Sequence, residues 1–259
     1  MDVGCSEEPL IAGLGICADE RFIYHASLAK TDHRTVLSVL DRDTLAVLHV
    51  QQLPEISDVH SIQRLEDELF VASTGTDEIV AYRMDGCVAK NARVVWSPTG
   101  SGTDTHHINS LGQLNGELWC SAFGDRGGES WVTAGNGYVH NVSTDKRLLE
   151  GLRQPHSVTF YDGQLYFCNS QAGTVDSSEG TVAFLVGYSR GLAFSSEGTM
   201  YAGTSLSRRT THGADEFLNL GNAGLLSGRC AVVKIPPEGS RLEIGLSHAG
   251  FEVYDLLLV

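Results

Sequence analysis

The fold that the sequence predicts is an all-β protein, a β-propeller of five blades with a C-terminal closing inner strand. Three observations lead to this prediction. A short hairpin pattern recurs five times, and each copy pairs two apolar strands across a turn rich in Asp, Glu, Asn and Gly. The copies begin 34 to 49 residues apart, an interval typical of repeat architectures. Amphipathic helical periodicity is nearly absent.

The five hairpin copies follow one another from Gly13 to Ser205. They are GLGICADERFIYHASL from Gly13, VHSIQRLEDELFVAST from Val59, HINSLGQLNGELWCSAF from His107, HSVTFYDGQLYFCNSQ from His156 and RGLAFSSEGTMYAGTS from Arg190. The first is the weakest match. Further strand-like segments follow, such as TVLSVLDRDTLAVLHV after the first copy and EIVAYRMDG with RVVWSP after the second. Four short strands per copy, repeated around an axis, are typical of a propeller.

Two segments stand outside the hairpin repeat. The C-terminal sequence FEVYDLLLV resembles an inner strand, because EVYDLL aligns with DVHSIQ. It either closes a ring of five blades or begins a sixth, which is the alternative fold. Residues 206–228 form a long insert or a lid. The predicted organisation is therefore a single propeller domain over residues 1–259 with one insert.

The charge balance excludes two classes of partner. The chain has 18 Lys and Arg against 32 Asp and Glu, whereas nucleic acid and anionic membranes require a basic surface. Its first residues, MDVGCSEEPL, lack the basic and apolar regions of a signal peptide, and no apolar run approaches the ~20 residues of a membrane helix. The six cysteines contain no C-x-x-C pair. We therefore expect a cytoplasmic protein with reduced thiols.

Histidine recurs where the predicted inner strands begin. Aligning the hairpins by their turns places His60, His107, His156 and Arg190 at one level, with Tyr254 in the C-terminal segment as a weaker member. The first strand of each propeller blade lines the central channel, so equivalent residues form a ring. The pattern therefore predicts a ligand pocket at one mouth of the channel.

Other polar residues are expected around this mouth. Asp58 and Glu252 come just before inner strands and overhang the ring, whereas Asn169 ends a second strand that returns to the same mouth. Arg126 lies in the loop GDRGGESW after the third copy. Together with Arg190, these residues predict a small polar or anionic ligand.

A metal site is the first chemistry that fits these residues. Three neutral imidazoles, from His60, His107 and His156, are suited to a divalent transition metal such as Fe, Zn, Mn or Cu. Glu252 or Asp58 would add a carboxylate and leave one position open for water or substrate. The metal would then act as a Lewis acid or generate a hydroxide.

Two other interpretations stay open. Without a metal, one histidine acts as a general acid or base tuned by a carboxylate, while Arg190 clamps a carboxylate or phosphate. Alternatively, the histidines only satisfy backbone groups of the inner strands, and Arg190 forms a structural salt bridge to Glu252 or Asp255.

Several segments resemble a largely uncharacterised family of bacterial propellers. These are DVHSI, HHINSL with GELWCSAFG, GLRQPHSVTFYDGQLYFCNS, GYSRGLAF with YAGTSLSR, and FEVYDLLL. The resemblance implies a propeller with a pocket, and it names no reaction. A more distant resemblance is to the gluconolactonase and strictosidine-synthase class, whose carboxylate-rich metal chemistry does not transfer to this histidine-rich mouth. By position, the family pattern carries over to His60, His107, Asn109, His156, Arg190, Glu252 and Asp255.

The sequence as a whole therefore predicts an enzyme acting on a small polar or anionic metabolite, by lyase, isomerase, hydrolase or oxygenase chemistry. A non-catalytic propeller that binds a small molecule or glycan is the alternative. A lectin-like propeller would repeat one pocket in every blade, whereas here the mouth residues differ between blades. The predicted metal ligands are His60, His107 and His156; the predicted catalytic residues are Asp58, Arg190, Glu252 and Tyr254; and the predicted substrate-binding residues are Asn109, Arg126, Asn169 and Arg190.

Overall fold

The strands of this chain form five antiparallel sheets of four strands each, ordered within every sheet as they follow in the chain. The computed structural model describes residues 10–30, 32–126, 131, 134–205, 229–250 and 252–259. The five sheets are the blades of a β-propeller, which confirms the predicted fold class. Among the described residues, no helix is long and apolar enough to span a membrane.

The chain divides into two compact units, residues 1–104 together with 259, and residues 105–258. The first unit holds blades 1 and 2. Blade 1 contains β1 (Leu10–Ala18), β2 (Phe22–Ala29), β3 (Thr35–Asp41) and β4 (Val47–Gln52), and blade 2 contains β5 (Val59–Leu65), β6 (Glu68–Ser73), β7 (Glu78–Asp85) and β8 (Val88–Trp96).

The second unit holds blades 3, 4 and 5. Blade 3 contains β9 (Ile108–Leu114), β10 (Glu117–Ala122), β11 (Gly137–Asn141) and β12 (Lys146–Leu152). Blade 4 contains β13 (Pro155–Tyr161), β14 (Gln164–Asn169), β15 (Thr174–Ser177) and β16 (Gly180–Phe184). Blade 5 contains β17 (Tyr188–Phe194), β18 (Met200–Ser205), β19 (Ala231–Ile235) and β20 (Leu242–Gly245). The predicted insert, residues 206–228, lies outside the described residues.

Apolar side chains fill the space between neighbouring blades of the second unit. The alternation of strand side chains sends every second residue towards the next sheet. Between blades 4 and 5, the core contains Cys168, Val175, Leu185, Leu192, Met200, Ala202 and Val233. Between blades 3 and 4 it contains Val139, Val158, Leu165 and Phe167. The first strands β9, β13 and β17 contact one another in succession, so they are the inner strands of this unit.

The C-terminal segment packs against blade 5 without joining its sheet. Residues 252–259 contain no strand, although the sequence predicts an inner strand there. A side chain, not a ladder of backbone hydrogen bonds, holds this segment. The Ser205 hydroxyl accepts a hydrogen bond from the N–H of Val253 (3.1 Å) and donates one to the Val253 carbonyl (3.3 Å). Gly203 allows this close approach, because a Cβ there would lie 2.5 Å from Val253 Cγ1. The end of the chain is therefore held beside the start of β17.

A half-buried histidine, His25, and a buried one, His140, predict how stability depends on pH. Burial lowers the pKa of His25, and burial also lowers the pKa of His140 in spite of the nearby Asp145 carboxylate. A histidine in the unfolded chain has a pKa of about 6.5. Below this pH, the two side chains bind protons more readily in the unfolded chain than in the folded protein. We therefore expect the free energy of unfolding to fall as the pH drops from about 6.5, and to level off below the folded-state pKa values.

Urea unfolding at about pH 7.5, 6.5 and 5.5 measures this dependence. His140→Gln removes one titrating group and should flatten the slope. His248→Gln is the matched control, because His248 is exposed, and it should keep the wild-type slope. Equal slopes for the wild type and His140→Gln would contradict the assignment.

Candidate functional site

The inner strands repeat one local arrangement at their beginning. Before β5, β9 and β13 the preceding residue has a left-handed backbone, and the second residue of the strand bonds the carbonyl of that residue. The imidazole Nδ1 of His60 and of His156 does this in blades 2 and 4, and the Asn109 amide does it in blade 3. The φ angles are 52° at Asp58, 55° at His107 and 54° at Gln154, and the three distances are 3.2 Å to Asp58 O, 3.1 Å to His107 O and 3.1 Å to Gln154 O.

This register corrects the predicted level of His107 and of Arg190. The hairpins turn at the pairs Leu65–Glu68, Leu114–Glu117 and Tyr161–Gln164, each in a seven-residue inner strand. When residues are counted back from these turns, Asn109 occupies the same strand position as His60 and His156. The prediction that His107 shares their level is wrong, because His107 lies two residues earlier, before β9 begins. The prediction that Arg190 shares it is also wrong, because Ser189 takes that place in β17 and Arg190 follows it. The sequence alignment matched His107 with the other histidines. An asparagine can occupy this position instead, because its amide N–H donates the same hydrogen bond as an imidazole N–H.

The ring of His156 is held in a defined tautomer. His156 is 2% exposed, and its Nδ1 lies 3.1 Å from Gln154 O and 2.8 Å from Ser170 Oγ. A carbonyl oxygen only accepts, so in this bond Nδ1 carries the proton and the lone pair of the neutral ring is on Nε2. That assignment follows from the hydrogen-bond network. In this tautomer Nε2 is the basic nitrogen of the neutral ring.

Five rings of the second unit form a continuous series, here called the aromatic row. It runs from Trp131 through His107, Phe123 and His156 to Tyr188, and thus from blade 3 to blade 5. The ring centroids are 4.9, 4.6, 5.2 and 5.6 Å apart along this series. These spacings are within the range in which aromatic pairs stabilise each other. Sequence reasoning did not identify Phe123, Trp131 or Tyr188 as site residues.

The side chain of Gln154 forms hydrogen bonds with both ends of the aromatic row. Its side chain is 1% exposed, and its Nε2 donates to Trp131 O at 2.7 Å. Because the amide nitrogen takes that acceptor, Oε1 accepts the hydroxyl of Tyr188 at 2.9 Å. The backbone carbonyl of the same residue bonds His156. One buried glutamine therefore connects blades 3, 4 and 5 around the imidazole.

The third residue of the inner strands joins one blade to the next. The Ser110 hydroxyl of β9 accepts the Val158 N–H of β13 at 3.2 Å, and the Ser157 hydroxyl of β13 accepts the Gly191 N–H of β17 at 2.8 Å. In β17 the third residue is Arg190. A position that is structural in two successive blades therefore carries a cation in blade 5.

Arg190 is buried without a full set of partners. It is 7% exposed, and its guanidinium carbon lies 3.6 Å from the ring centroid of Tyr254. Its Nη2 is buried and has no hydrogen-bond partner among the described residues, so this nitrogen does not form the structural salt bridge that was one alternative. Burying an unpaired charge costs several kcal/mol. An anionic ligand would satisfy this nitrogen.

The two asparagines predicted to bind substrate have both ends of their amides bonded within the protein. Asn109 is 2% exposed, and Asn169 closes the turn after β14. Each amide therefore has at least one hydrogen bond at its nitrogen and one at its oxygen. The bonds are Asn109 Nδ2 to His107 O (3.1 Å), Ser121 Oγ to Asn109 Oδ1 (2.9 Å), Arg153 N to Asn169 Oδ1 (2.8 Å) and Asn169 Nδ2 to Asp176 Oδ2 (2.9 Å).

The other predicted site residues lie as follows. Arg126 is exposed, with its guanidinium 5.4 Å from the Trp131 ring centroid. Glu252 is half-buried. Burial of the Cys230 thiol is the main cause that raises its pKa, and the charge of Glu252 raises it further. Asp58 is exposed in the first unit, and its carboxylate lies 3.7 Å from His60 Nδ1. Of the predicted catalytic group, the structure brings Arg190 and Tyr254 into contact.

Sequence comparison identifies a family for most of the chain. A family model described as "Domain of unknown function (DUF4915)" matches residues 21–258. The chain belongs to the DUF4915 family. This confirms the predicted resemblance to an uncharacterised propeller family. No curated protein matches the sequence significantly.

Solved propellers resemble this DUF4915 chain in fold. A luciferin-regenerating enzyme aligns with a TM-score of 0.61 at 12% identity, over 92% of this chain and 78% of that one. Regucalcin from Agrobacterium tumefaciens strain C58, described as a calcium-binding protein, gives 0.60 at 15% identity, over 92% and 76%. A glucose dehydrogenase gives 0.60 at 9% identity, over 96% and 91%. At these identities the likeness shows the fold alone.

The described residues of the DUF4915 chain show no grouping that corresponds to the predicted metal centre. Among the residues that the structure describes, no three side chains of the His, Cys, Asp and Glu types are grouped so as to hold a metal ion. His107 packs between the rings of Phe123 and Trp131, and Asn109 holds its expected place in the register. The three-histidine ligand set therefore gains no support from this arrangement.

Proposed function

We propose that this protein is an enzyme that binds a small anionic metabolite on Arg190 and moves a proton with His156. The observation that carries the proposal is the buried Nη2 of Arg190, which has no partner among the described residues. The proposal corresponds to acid–base chemistry of the lyase or isomerase kind. The structural neighbours include proteins named as enzymes, which supports an enzyme of some kind.

Arg190 supplies the binding energy. A guanidinium presents planar paired donors that match a carboxylate or phosphate, and such charge-assisted bonds are about twice as strong as neutral ones. The Tyr254 ring under the guanidinium holds it flat and contributes about 0.5–2 kcal/mol of cation–π attraction. The ligand anion then neutralises a charge that is otherwise buried, so binding relieves a cost already present in the fold.

His156 supplies the proton transfer. Its Nε2 lone pair accepts a proton, and its Nδ1 proton stays bonded to Gln154 O in both charge states. Because that bond holds the ring in one orientation, the catalytic nitrogen keeps its direction through a cycle. Ser170 lies at the same nitrogen and adds a second acceptor for the imidazolium. A positioned general base of this kind contributes about 10²–10⁴-fold in rate.

Proton exchange tests this function without knowledge of the substrate. The protein is incubated in D₂O with a set of small carboxylic acids, and NMR follows the replacement of carbon-bound hydrogen by deuterium. We expect exchange for the true ligand class, and we expect His156→Gln to reduce it by about 100-fold or more. His49→Gln, on the outer strand β4, is the control and should exchange like the wild type.

Chelator treatment before the assay separates the metal-dependent alternative. If hydrogen exchange survives the chelator, the metal-free mechanism is supported. If exchange is lost and one divalent metal restores it, the metal-dependent mechanism takes its place. Binding that depends on Arg190 without any exchange would show a non-catalytic binding protein instead.

A further inference from the structure

We infer that the C-terminal segment, residues 252–259, is a strap that closes over Arg190 when the anion binds and opens when the anion leaves. The inference rests on the proposed function, because it concerns the anion held by Arg190. Three features carry it. They are a socket that receives Val253, attachment of the segment through side chains, and a buried cation that opposes closure as long as it is unpaired.

Two glycines of blade 5 form the socket for Val253. A Cβ on Gly191 of β17 would lie 3.2 Å from Val253 Cγ1, and a Cβ on Gly203 of β18 would lie 2.5 Å from the same atom. Gly191 has a left-handed backbone, with φ 79°, which favours glycine in any case. Gly203 does not, and its Cβ would meet both Val253 and the carbonyl of Arg190. Blade 5 is therefore shaped to receive this part of the C-terminal segment.

Side chains, not strand pairing, attach the segment to the blade. The Ser205 hydroxyl bonds both the N–H and the carbonyl of Val253. Leu256 lies over Gly191, where a Cβ would be 3.0 Å from Leu256 Cγ. Breaking such contacts disturbs no ladder of backbone hydrogen bonds, so the segment can open locally while the sheets stay folded.

Closure of the segment buries the charge of Arg190. The Tyr254 ring covers one face of the guanidinium, with 3.6 Å between the guanidinium carbon and the ring centroid. Nη2 is buried and has no hydrogen-bond partner among the described residues. When the segment detaches, the ring leaves this face and water can solvate the cation. Closing without an anion therefore carries the cost of an unpaired buried charge, whereas closing with an anion pairs that charge.

The anion consequently favours the closed state. A ligand shifts an equilibrium by the difference in its affinity for the two states. In the closed state the guanidinium is shielded from water, and bonds between opposite charges are stronger where less water competes. By reciprocity, each contact that holds the closed segment also tightens anion binding. The site therefore closes on its ligand.

Amide hydrogen exchange of the whole chain, followed by NMR in low-salt buffer, tests the strap. The Val253 N–H reports opening, because its bond to Ser205 is lost when the segment detaches. We expect its exchange to slow about tenfold when acetate or phosphate is added at about ten times the dissociation constant. The Leu45 N–H, bonded to Asp41 O at 2.9 Å in the exposed turn after β3, is the internal control and should exchange at an unchanged rate.

Arg190→Met separates this mechanism from a general effect of added salt. Without the buried charge nothing opposes closure, and the removed cost exceeds the cation–π attraction that is lost with it. The Val253 N–H of this variant should therefore exchange slowly without any anion, and acetate or phosphate should change nothing. Arg229→Met, which removes an exposed guanidinium, should behave like the wild type. Anion-free exchange as fast in Arg190→Met as in the wild type would contradict the strap.

Ser205→Ala tests the coupling from the side of the segment. It removes both hydrogen bonds to Val253 without touching Arg190, and we expect anion affinity to fall about tenfold. Ser27→Ala removes a buried hydroxyl from β2, far along the chain, that donates to Val36 O, and it should bind like the wild type. Unchanged affinity in Ser205→Ala would overturn the coupling.

Calorimetry on the same samples distinguishes failure of the strap from failure of the proposed function. Binding of acetate or phosphate that depends on Arg190, with unchanged exchange at Val253, would overturn the strap and leave the anion site standing. If neither acetate nor phosphate binds in an Arg190-dependent manner, the proposed function itself is overturned.

Discussion

Arg190→Met is expected to abolish anion binding while leaving the protein as stable as the wild type, or more stable. Removing one partner of a buried charge pair costs about 2–5 kcal/mol of affinity, which corresponds to roughly 30-fold to more than 1,000-fold. Stability should not suffer, because Nη2 of Arg190 has no hydrogen-bond partner to lose among the described residues. Methionine still packs on the Tyr254 ring, and it removes an unpaired buried charge.

The two readouts are calorimetric binding and urea unfolding on the same preparations. Arg229→Met is the matched control, since it removes an exposed guanidinium paired with Glu243 at 3.4 Å, and both readouts should stay close to the wild type. Arg190→Lys keeps the charge and should bind weakly, because the planar fork is lost. A marked fall in stability for Arg190→Met with normal binding would show that the arginine is structural.

Gly203→Ala is expected to destabilise the protein by about 3 kcal/mol or more and to weaken anion binding as well. A Cβ at Gly203 would overlap the carbonyl oxygen of Arg190 and lie 2.5 Å from Val253 Cγ1. The carbonyl cannot move aside freely, because it belongs to the inner strand β17. Relief must therefore come from shifting the segment around Val253, which also carries Tyr254 away from the guanidinium.

Gly245→Ala is the control for this substitution. It lies in β20 of the same blade, and a Cβ there would meet no atom within 4 Å. Its free energy of unfolding and its affinity should both stay near the wild-type values. If Gly203→Ala unfolds at the wild-type urea concentration, the close approach of the C-terminal segment is not as described.

The blades were predictable from the sequence because hairpins leave a local signal. Alternating apolar residues and Asp-Gly or Asn-Gly turns arise from strand and turn geometry over a few residues. The importance of Arg190 was also predicted, but from an alignment that grouped it with the three histidines and, more weakly, with Tyr254. In the register of the strands Arg190 instead takes the position of Ser61, Ser110 and Ser157.

The parts that could not be predicted depend on contacts between distant residues. Nothing local to Gln154 indicates that its amide joins Trp131 and Tyr188, because those partners come from other blades. Likewise, both asparagines predicted to bind substrate proved to be bonded at both ends, and sequence does not show which hydrogen bonds a buried amide makes. The place of His107 was misjudged because residue identity was weighed above position in the strand.

The contact between Arg190 and Tyr254 has a consequence for limited proteolysis. The last described strand ends at Gly245, whereas the ring that supports the guanidinium follows it at Tyr254. A protease that cuts the exposed turn between these two residues would leave every described strand intact while freeing the segment that carries the ring. We expect a protein nicked there to keep the far-ultraviolet signal of its sheets and to lose affinity for the anion.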